Sequence, residues 1–503
     1  MATVVERERK YSGDEGFQLP DLTGCGGVVT MSDATVSDLD AVYWDTDDLL
    51  LLRSGHALRR RTGGHDAGWH LKVGAVGGTR VEHQFPAGAS DDGPPAELVA
   101  LIRGASRGRP VAPAARVVNH RRERRLLDAD GRVLAEVAED DVRSEDLVDG
   151  AARTWHEIEI ELVEGDEGLL DALGERLGAA GAREVAVSKS HRAVAGRIER
   201  FDDEPADGPA GPVLGYARAQ RDAIVGNHAA AYQGDEEAIH DMRVATRRLR
   251  ATLRTFRGLW DRRESEAVRA ELRWLGGELG RVRDTQVMAA RLTEAVHDLP
   301  DELVLGPVAA RVGERFAADL AGATVALRSA LDSDRYPELL ARLDRLVDGA
   351  PADVGRRWVD RRIRKAVRRA DERLDRALAT TGPAGDAALH EARKKHKAAR
   401  YAVEVREPSA GRPAARLVKR FKALQDLLGT HQDSVVTRET LRRQALQAYA
   451  DGENTFTYGL LHARQAEAAG HDRPAVLRAR DRARRRKVRR WLKPGPTPPP
   501  RRS

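Results

Sequence analysis

The sequence predicts a multidomain protein of α and β type: an N-terminal β-barrel with a polar interior, followed by an all-α region built from two related helical bundles. Three observations predict it. Residues 1–200 are dominated by short runs of strand length, bounded by Gly, Asp and Pro. Residues 201–213, FDDEPADGPAGPV, form a Pro/Gly/Asp break and the clearest domain boundary. Beyond it lie long Ala/Leu/Arg/Glu segments of helical period that contain an internal duplication. A chain of 503 residues is also too long for one core, which stops growing at about 250–300 residues.

The N-terminal runs are VVERERKYS, HALRRRT, WHLKVG, TRVEHQF, RVLAEVAEDDV and WHEIEIELV. On the first, Glu6, Glu8 and Lys10 stand at i, i+2, i+4 and so share one face. Arg59 and Arg61 share a face on the second, as do Arg80 and Glu82 on the fourth. Lys72, Arg121 and Lys189 supply further cations on or near strands; in Asn119-His120-Arg121-Arg122 the inward cation is taken as Arg121. The last run, Glu157-Ile158-Glu159-Ile160-Glu161-Leu162, sets three carboxylates against three aliphatic side chains. One such strand is explained by a half-buried sheet with a solvated face. Several strands, each stacking like charges on one face, would repel unless something lay between them. A barrel with a polar interior answers this. Carboxylates inside it suit a hard divalent cation, Mg²⁺ or Mn²⁺, and Arg/Lys suit phosphate oxygens.

In the helical region His240, Arg243, Arg247 and Arg250 recur as His390, Arg393, Lys397 and Arg400. Downstream, Leu279-Gly280 with Asp284 recurs as Leu428-Gly429 with Asp433, the His-to-Asp separation being 44 residues in one copy and 43 in the other. Spacing of i, i+3, i+7, i+10 confines a set to about 80° of a helix, so each copy carries one basic stripe; Lys394 widens the second. Each His stands among Arg and Lys, which would repel a cation, so the stripes suit an anion better than a metal. Asp284 and Asp433 are expected to hold stripe arginines in place.

Charge is unevenly divided. Residues 1–200 hold 26 Lys+Arg against 36 Asp+Glu, net −10, while the whole chain is +6, leaving the remainder at +16. The basic half should favour a polyanion. Only 4% of residues are aromatic, which gives base stacking little support and makes nucleic acid an unlikely partner. The single cysteine, Cys25, excludes a disulfide framework and a Cys-based zinc site. No Walker or dinucleotide-binding motif is present. No apolar run is long enough to span a membrane, and MATVVERERKYS lacks the apolar core of a signal peptide, so no membrane partner and a cytoplasmic location are expected.

Glu6-x-Glu8-x-Lys10, with the strand charges that follow in order, resembles the CYTH family, the triphosphate tunnel metalloenzymes, over residues 3–200. The resemblance implies an eight-stranded antiparallel β-tunnel with flanking helices. It implies metal ligation by Glu6, Glu8, Glu159 and Glu161 with Asp140 nearby, and a phosphate grip by Lys10, Arg59, Arg61, Lys72, Arg121 and Lys189. The catalytic set would be Glu6, Glu8 and Lys10. Members hydrolyse inorganic triphosphate, thiamine triphosphate or RNA 5′-triphosphates, and a few are adenylate cyclases. The paired segments Ile239-His240-Asp241-Met242-Arg243 and Leu389-His390-Glu391-Ala392-Arg393 resemble the CHAD family, over residues 214–490. That implies a pair of four-helix subdomains with a basic groove for inorganic polyphosphate. Residues 491–503, rich in Pro and Arg, are expected to be a disordered tail. The expected activity is metal-dependent hydrolysis of inorganic triphosphate or short polyphosphate, with polyphosphate binding by the helical region. The alternatives are a non-catalytic polyphosphate-binding protein, and a nucleoside triphosphatase or adenylate cyclase.

Overall fold

The structure is a computed structural model describing all residues except 1, 15, 65, 75–79, 87, 89–92, 202–207, 350, 471–472 and 493–503; the side chains of residues 2–6, 80, 383 and 468–470 also lie outside the description. The tail at 493–503 and the middle of the 201–213 break therefore fall outside it. The chain forms two compact units, one of Met1–Asp203 with Val225–Ala229, the other of Glu204–Ile224 with Ala230–Ser503.

The first unit contains β1 (Ala2–Glu6), β2 (Glu8–Ser12), β3 (Thr30–Met31), β4 (Thr35–Asp45), β5 (His56–Thr62), β6 (Gly68–Gly74), β7 (Arg80–Phe85), β8 (Ala112–Leu127), β9 (Val133–Asp146), β10 (Ala152–Leu162) and β11 (Arg183–Glu184). Its helices are α1 (Leu50–Arg53), α2 (Ala96–Ser106), α3 (Glu167–Ala179), α4 (Lys189–Ala193) and α5 (Ala195–Ile198). The sheet runs β1-β7-β6-β5-β4-β8-β9-β10-β2-β11, antiparallel at each pairing described. As a hydrogen-bonded path it is not a closed ring. Its ends, however, are consecutive pieces of one segment: β1 pairs with β7 and β2 with β10, and only Arg7 lies between them. Counting β1 with β2 and leaving aside the two-residue β3 and β11, eight strands remain among the described residues.

Period-two alternation decides what points inward. Ile158 and Ile160 are fully buried on the outer face with Val137 and Tyr11, where they meet Leu169, Leu170, Leu173 and Leu177 of α3. Burial of each such aliphatic side chain is worth about 1.5–3 kcal/mol, and it turns Glu159 and Glu161 the other way. A second core, with Tyr43, Val117, Val142, Val194 and Ile198, seals the sheet against α5. Gly63 makes the β5–β6 turn at φ +79°, where a Cβ would stand 2.1 Å from the Asp38 carbonyl oxygen.

The long strands β4 and β8 were not evident as strands from sequence, because charged residues interrupt their apolar pattern. Both faces of β8 carry polar side chains, so period-two hydrophobicity is weak there.

The second unit contains α6 (Gly211–Gly226), α7 (His228–Gln233), α8 (Glu236–Thr255), α9 (Arg262–His297), α10 (Val308–Asp332), α11 (Arg335–Asp348), α12 (Arg356–Leu378), α13 (Gly382–Glu404), α14 (Glu407–Ala410), α15 (Arg412–Ala450), α16 (Phe456–Gly470), α17 (Arg473–Arg484) and α18 (Arg486–Arg489), with the ends of α6 and the start of α7 grouped in the first unit. Asp235 and Asp261 cap α8 and α9, accepting from Ala238 N and Glu264 N. One bundle is α8–α11. The other is α12, α13, α15 and α17, with Leu374, Ala392, Leu424, Leu428 and Val476 in its core. The far ends of the long α9 and α15 meet α10 and α16 in a third core around Leu292, Val312, Phe316, Leu441 and Leu461.

Candidate functional site

The inward faces of the sheet enclose a cavity of about 410 Å³. Lys10, Arg59, Arg61, Lys72, Arg121 and Lys189 line it, and so do Glu8, Glu159, Glu161 and Glu136. Lys10 Nζ donates to Glu8 Oε2 at 2.9 Å and also to Glu159 Oε1. Arg121 Nη2 donates to Glu159 Oε2 at 2.6 Å, and Lys189 Nζ stands 2.8 Å from Glu159 Oε1. Glu159 is thus the hub of three cations. Burial pushes its carboxyl up, but Lys10, Lys189 and Arg121 outweigh that and hold it well below the usual range.

A second group has the opposite balance. Glu8 and Glu136 stand directly opposite Glu161 on the two flanking strands. Burial pushes the Glu161 carboxyl up; Lys72 opposes this, while Glu8, Glu159 and Glu136 add to it. This row of carboxylates repels itself, which is the environment a hard cation would relieve. Across the cavity the cations are crowded too: burial, Arg59 and Arg121 all pull Arg61 down. Asp66 pairs with Arg61, and buried His70 spans from the Asp66 carbonyl, 2.7 Å from Nε2, to Glu82, which also meets Lys72 at 3.1 Å.

In the helical unit the duplicated motifs acquire a physical cause. The Arg243 guanidinium lies on the backbone of Gly280, where a Cβ would meet its Nε at 3.6 Å. Arg393 lies on Gly429 in the same way, a Cβ there falling 3.1 Å from Nη2. Both arginines and His390 line a groove of about 880 Å³ together with Arg281, Arg291 and Arg443. Asp284 holds Arg243 at 2.9 Å as expected, but Asp433 pairs with Arg291 at 2.8 Å and not with Arg393. Arg247, Arg393 and Lys397 have no ion-pair partner among the described residues, and Arg247 Nε and Arg393 Nε are buried without a hydrogen bond. Burial, then Arg247, Arg393, Arg243 and Arg400, pull the Lys397 amine down to about 7.

Residues 5–192 match the CYTH domain and residues 215–442 the CHAD domain. An uncharacterized protein of Mycobacterium tuberculosis, found in two strains, is 36% identical over 96% of this chain and 97% of its own length. The chain belongs to the CYTH and CHAD families. Among solved structures it is similar to PptA from Streptomyces chartreusis, at 22% identity and TM-score 0.47 over 54% of this chain and 99% of that one. It is also similar to the CHAD domain of Ricinus communis, at 25% identity and TM-score 0.44 over 55% of this chain and 93% of that one.

Not every expected residue of the CYTH domain faces the cavity. Glu6 lies in register with Arg80, but both side chains are outside the described residues. Asp140, expected beside a metal, is instead fully buried beneath the cations. It accepts from Arg121 Nε at 2.8 Å and Nη2 at 2.7 Å, and meets Lys189 Nζ at 2.9 Å. Asp140 therefore orients two cavity-lining cations. Lys189 itself comes from the short α4 and not from a strand. Arg122 points away from the cavity, toward Asp141 at 3.2 Å. Glu123 and Asn119, which also line the cavity, were missed; their i±2 spacing from Arg121 was the available signal. Asp140→Asn is expected to cost about 3–5 kcal/mol, because it leaves Arg121 and Lys189 short of a buried counter-charge. Urea unfolding of the variant checks this, and an unchanged midpoint would reject the role.

In the CHAD domain the stripes divide. Arg243, Arg393 and His390 line the groove; Arg247 and Lys397 stand beside those arginines. Arg400 is tied to Glu404 at 2.7 Å and Gln425 at 3.0 Å. Lys394 makes an exposed pair with Glu391 at 2.8 Å, Arg250 faces Arg269 and Arg273, and His240 is exposed near Arg283. No helix among the described residues is long and apolar enough to cross a membrane.

Proposed function

We propose that the CYTH domain hydrolyses a phosphoanhydride bond of inorganic triphosphate or short polyphosphate, and that the CHAD domain binds polyphosphate. The observation that carries this reading is the single cavity in which Lys10, Arg59, Arg61, Lys72, Arg121 and Lys189 face a set of glutamates. Cations on several strands match a short chain carrying negative charge on every phosphate. Tyr43 is the one aromatic among the described lining residues, which favours an inorganic chain over a nucleotide.

The glutamates fit Mg²⁺ or Mn²⁺ by donor type, and the self-repelling row at Glu8, Glu161 and Glu136 supports that fit. Glu8, Glu161 and Glu159 would hold the ion, and Glu6 is proposed as a fourth ligand. Among the described residues no three such groups already converge on a finished site; Lys10 sits between Glu8 and Glu159. When bound, the ion would neutralise phosphate oxygens and acidify water. The chain's own part is to seat the phosphates on Arg59, Arg61, Lys72 and Arg121, with Asp140 fixing Arg121. Lys10 and Lys189 exchange Glu159 for phosphate oxygens and so meet the charge that grows on the leaving phosphate.

Phosphate release from tripolyphosphate, with and without Mg²⁺ or Mn²⁺, tests this against Glu8→Ala. Metal-dependent release that the variant loses is expected. The Lys10 bridge between Glu8 and Glu159 favours one alternative, a tunnel that binds without turnover. No release, with polyphosphate still retained at low salt, would select it.

The CHAD reading carries a pH dependence. Free Lys397 sits at about 7, and a bound polyanion favours its charged form, raising it. Binding then takes up a proton, so affinity should be highest below pH 7 and fall as pH rises through it, by up to about tenfold per unit. Polyphosphate titrations at several pH values check the slope, and Lys397→Arg should flatten it.

A further inference from the structure

Helix α12, RRWVDRRIRKAVRRADERLDRAL, is polar around most of its circumference and buries only the line through Val359, Ile363, Val367, Ala370 and Leu374. Its acidic residues are already engaged. Asp371 pairs with Arg489 at 2.5 Å, Asp375 with Arg484 at 3.0 Å, Asp360 with Arg406 at 3.4 Å, and Glu372 with Arg368 at 3.5 Å. Its other flank carries cations that make no ion pair. Among the described residues Arg257, Lys365, Arg369 and Lys395 make no ion pair, and neither does Arg254.

These groups form one surface. Arg362 Nη2 donates to the Arg257 carbonyl at 3.0 Å, joining α12 to the end of α8. Arg369, Arg362 and Arg257 all depress Lys365 by like charge, Arg369 most. Lys395 of α13 is depressed by burial and then by Arg254, with Glu391 opposing and Arg373 and Arg369 adding to the depression, so Arg369 links the two groups. Along α8 the patch lies one turn beyond the groove's arginines: Arg254 falls on the same face of the helix as Arg243 and Arg247, within about 60° of arc.

We propose that this α12 flank, with the end of α8 and Lys395, is a second polyphosphate-binding surface that continues the groove, so that long chains are held over both and short chains by the groove alone. The proposal rests on the polyphosphate reading of the CHAD domain. Two observations favour this occupant over others. Trp358, the aromatic of α12, is covered by Arg362 at 4.8 Å and stands beside Phe256, so it offers no stacking platform for a base. No large exposed hydrophobic lies on α12, so a lipid surface would find no apolar anchor.

The test uses the full chain carrying Lys365→Gln, Arg369→Gln and Lys395→Gln together, with long and short polyphosphate titrated over a range of salt. All three are surface changes on intact helices, and an unchanged thermal midpoint confirms folding. Long-chain affinity should fall at least tenfold, and its log–log salt slope should shrink by about 2, at roughly 0.7 per lost phosphate contact. Short-chain affinity should stay as in wild type. An unaltered long-chain slope, while Arg247→Ala with Arg393→Ala still weakens both lengths, would overturn the second surface and leave the groove standing. Wild type that retains neither length would overturn the polyphosphate reading itself. A loss seen with single-stranded RNA but not with polyphosphate would assign the patch to nucleic acid and equally reject the proposal.

Discussion

Glu159→Gln is expected to lower the rate of metal-dependent phosphate release by on the order of 10²–10³, with KM unchanged or reduced. The split follows from what Glu159 touches. Its carboxylate is shared by Lys10, Arg121 and Lys189, and it neighbours Glu161 two residues along β10 and Glu8 on the adjacent β2. The amide keeps the shape but removes the charge on which three cations converge and which, on the proposed function, would help hold the metal. The cations proposed to grip phosphate would remain and lose a competitor, so ground-state binding should not suffer. Steady-state kinetics on tripolyphosphate reads both parameters. A rise in KM at constant kcat would place Glu159 in substrate binding and sink the proposed role.

Arg247→Ala combined with Arg393→Ala should weaken polyphosphate binding at least a hundredfold, since each charge-assisted contact is worth about 1.5–3 kcal/mol. The same variant should melt at a higher temperature than wild type in the absence of ligand. Arg247 and Arg393 are buried at Nε without hydrogen-bond partners and crowd Lys397. Their repulsion opposes folding until an anion arrives, so removing them separates stability from function with opposite signs. Binding and melting curves measured on one preparation decide it. A lower midpoint together with unaltered affinity would show that these arginines serve packing.

The division into a strand-rich and a helix-rich half was legible because period-two and helical patterns are local. So was the inward set at Glu159 and Glu161, since Ile158 and Ile160 had to face a core. Other features depend on partners far away in sequence. Nothing near Asp140 reveals that Arg121 and Lys189 cover it; the three meet only when β8, β9 and α4 are in place. Asp433 could not be assigned to Arg291 in place of Arg393 from the repeat, because the repeat predicts symmetry and the pairing breaks it. The split of the first strand at Arg7 was equally hidden, because alternation continues across it unbroken.

That split has a consequence during synthesis. Lys10 and Glu159 are 149 residues apart, and β2 has neither of its sheet partners, β10 and β11, until they have been made. At about 5–20 residues per second, the segment waits roughly 10–30 s on the nascent chain with an unpaired edge. An edge of that kind invites pairing with other chains unless charge defends it. Glu6-Arg7-Glu8-Arg9-Lys10 places a charge at every position, on both faces. Arg9 later finds Asp171 of α3 at 2.6 Å, so one of these charges is absorbed once β2 is paired and α3 is in place. The run that supplies Glu8 and Lys10 to the cavity is thus also the charge expected to keep the earliest strand from pairing with other chains while this one is completed.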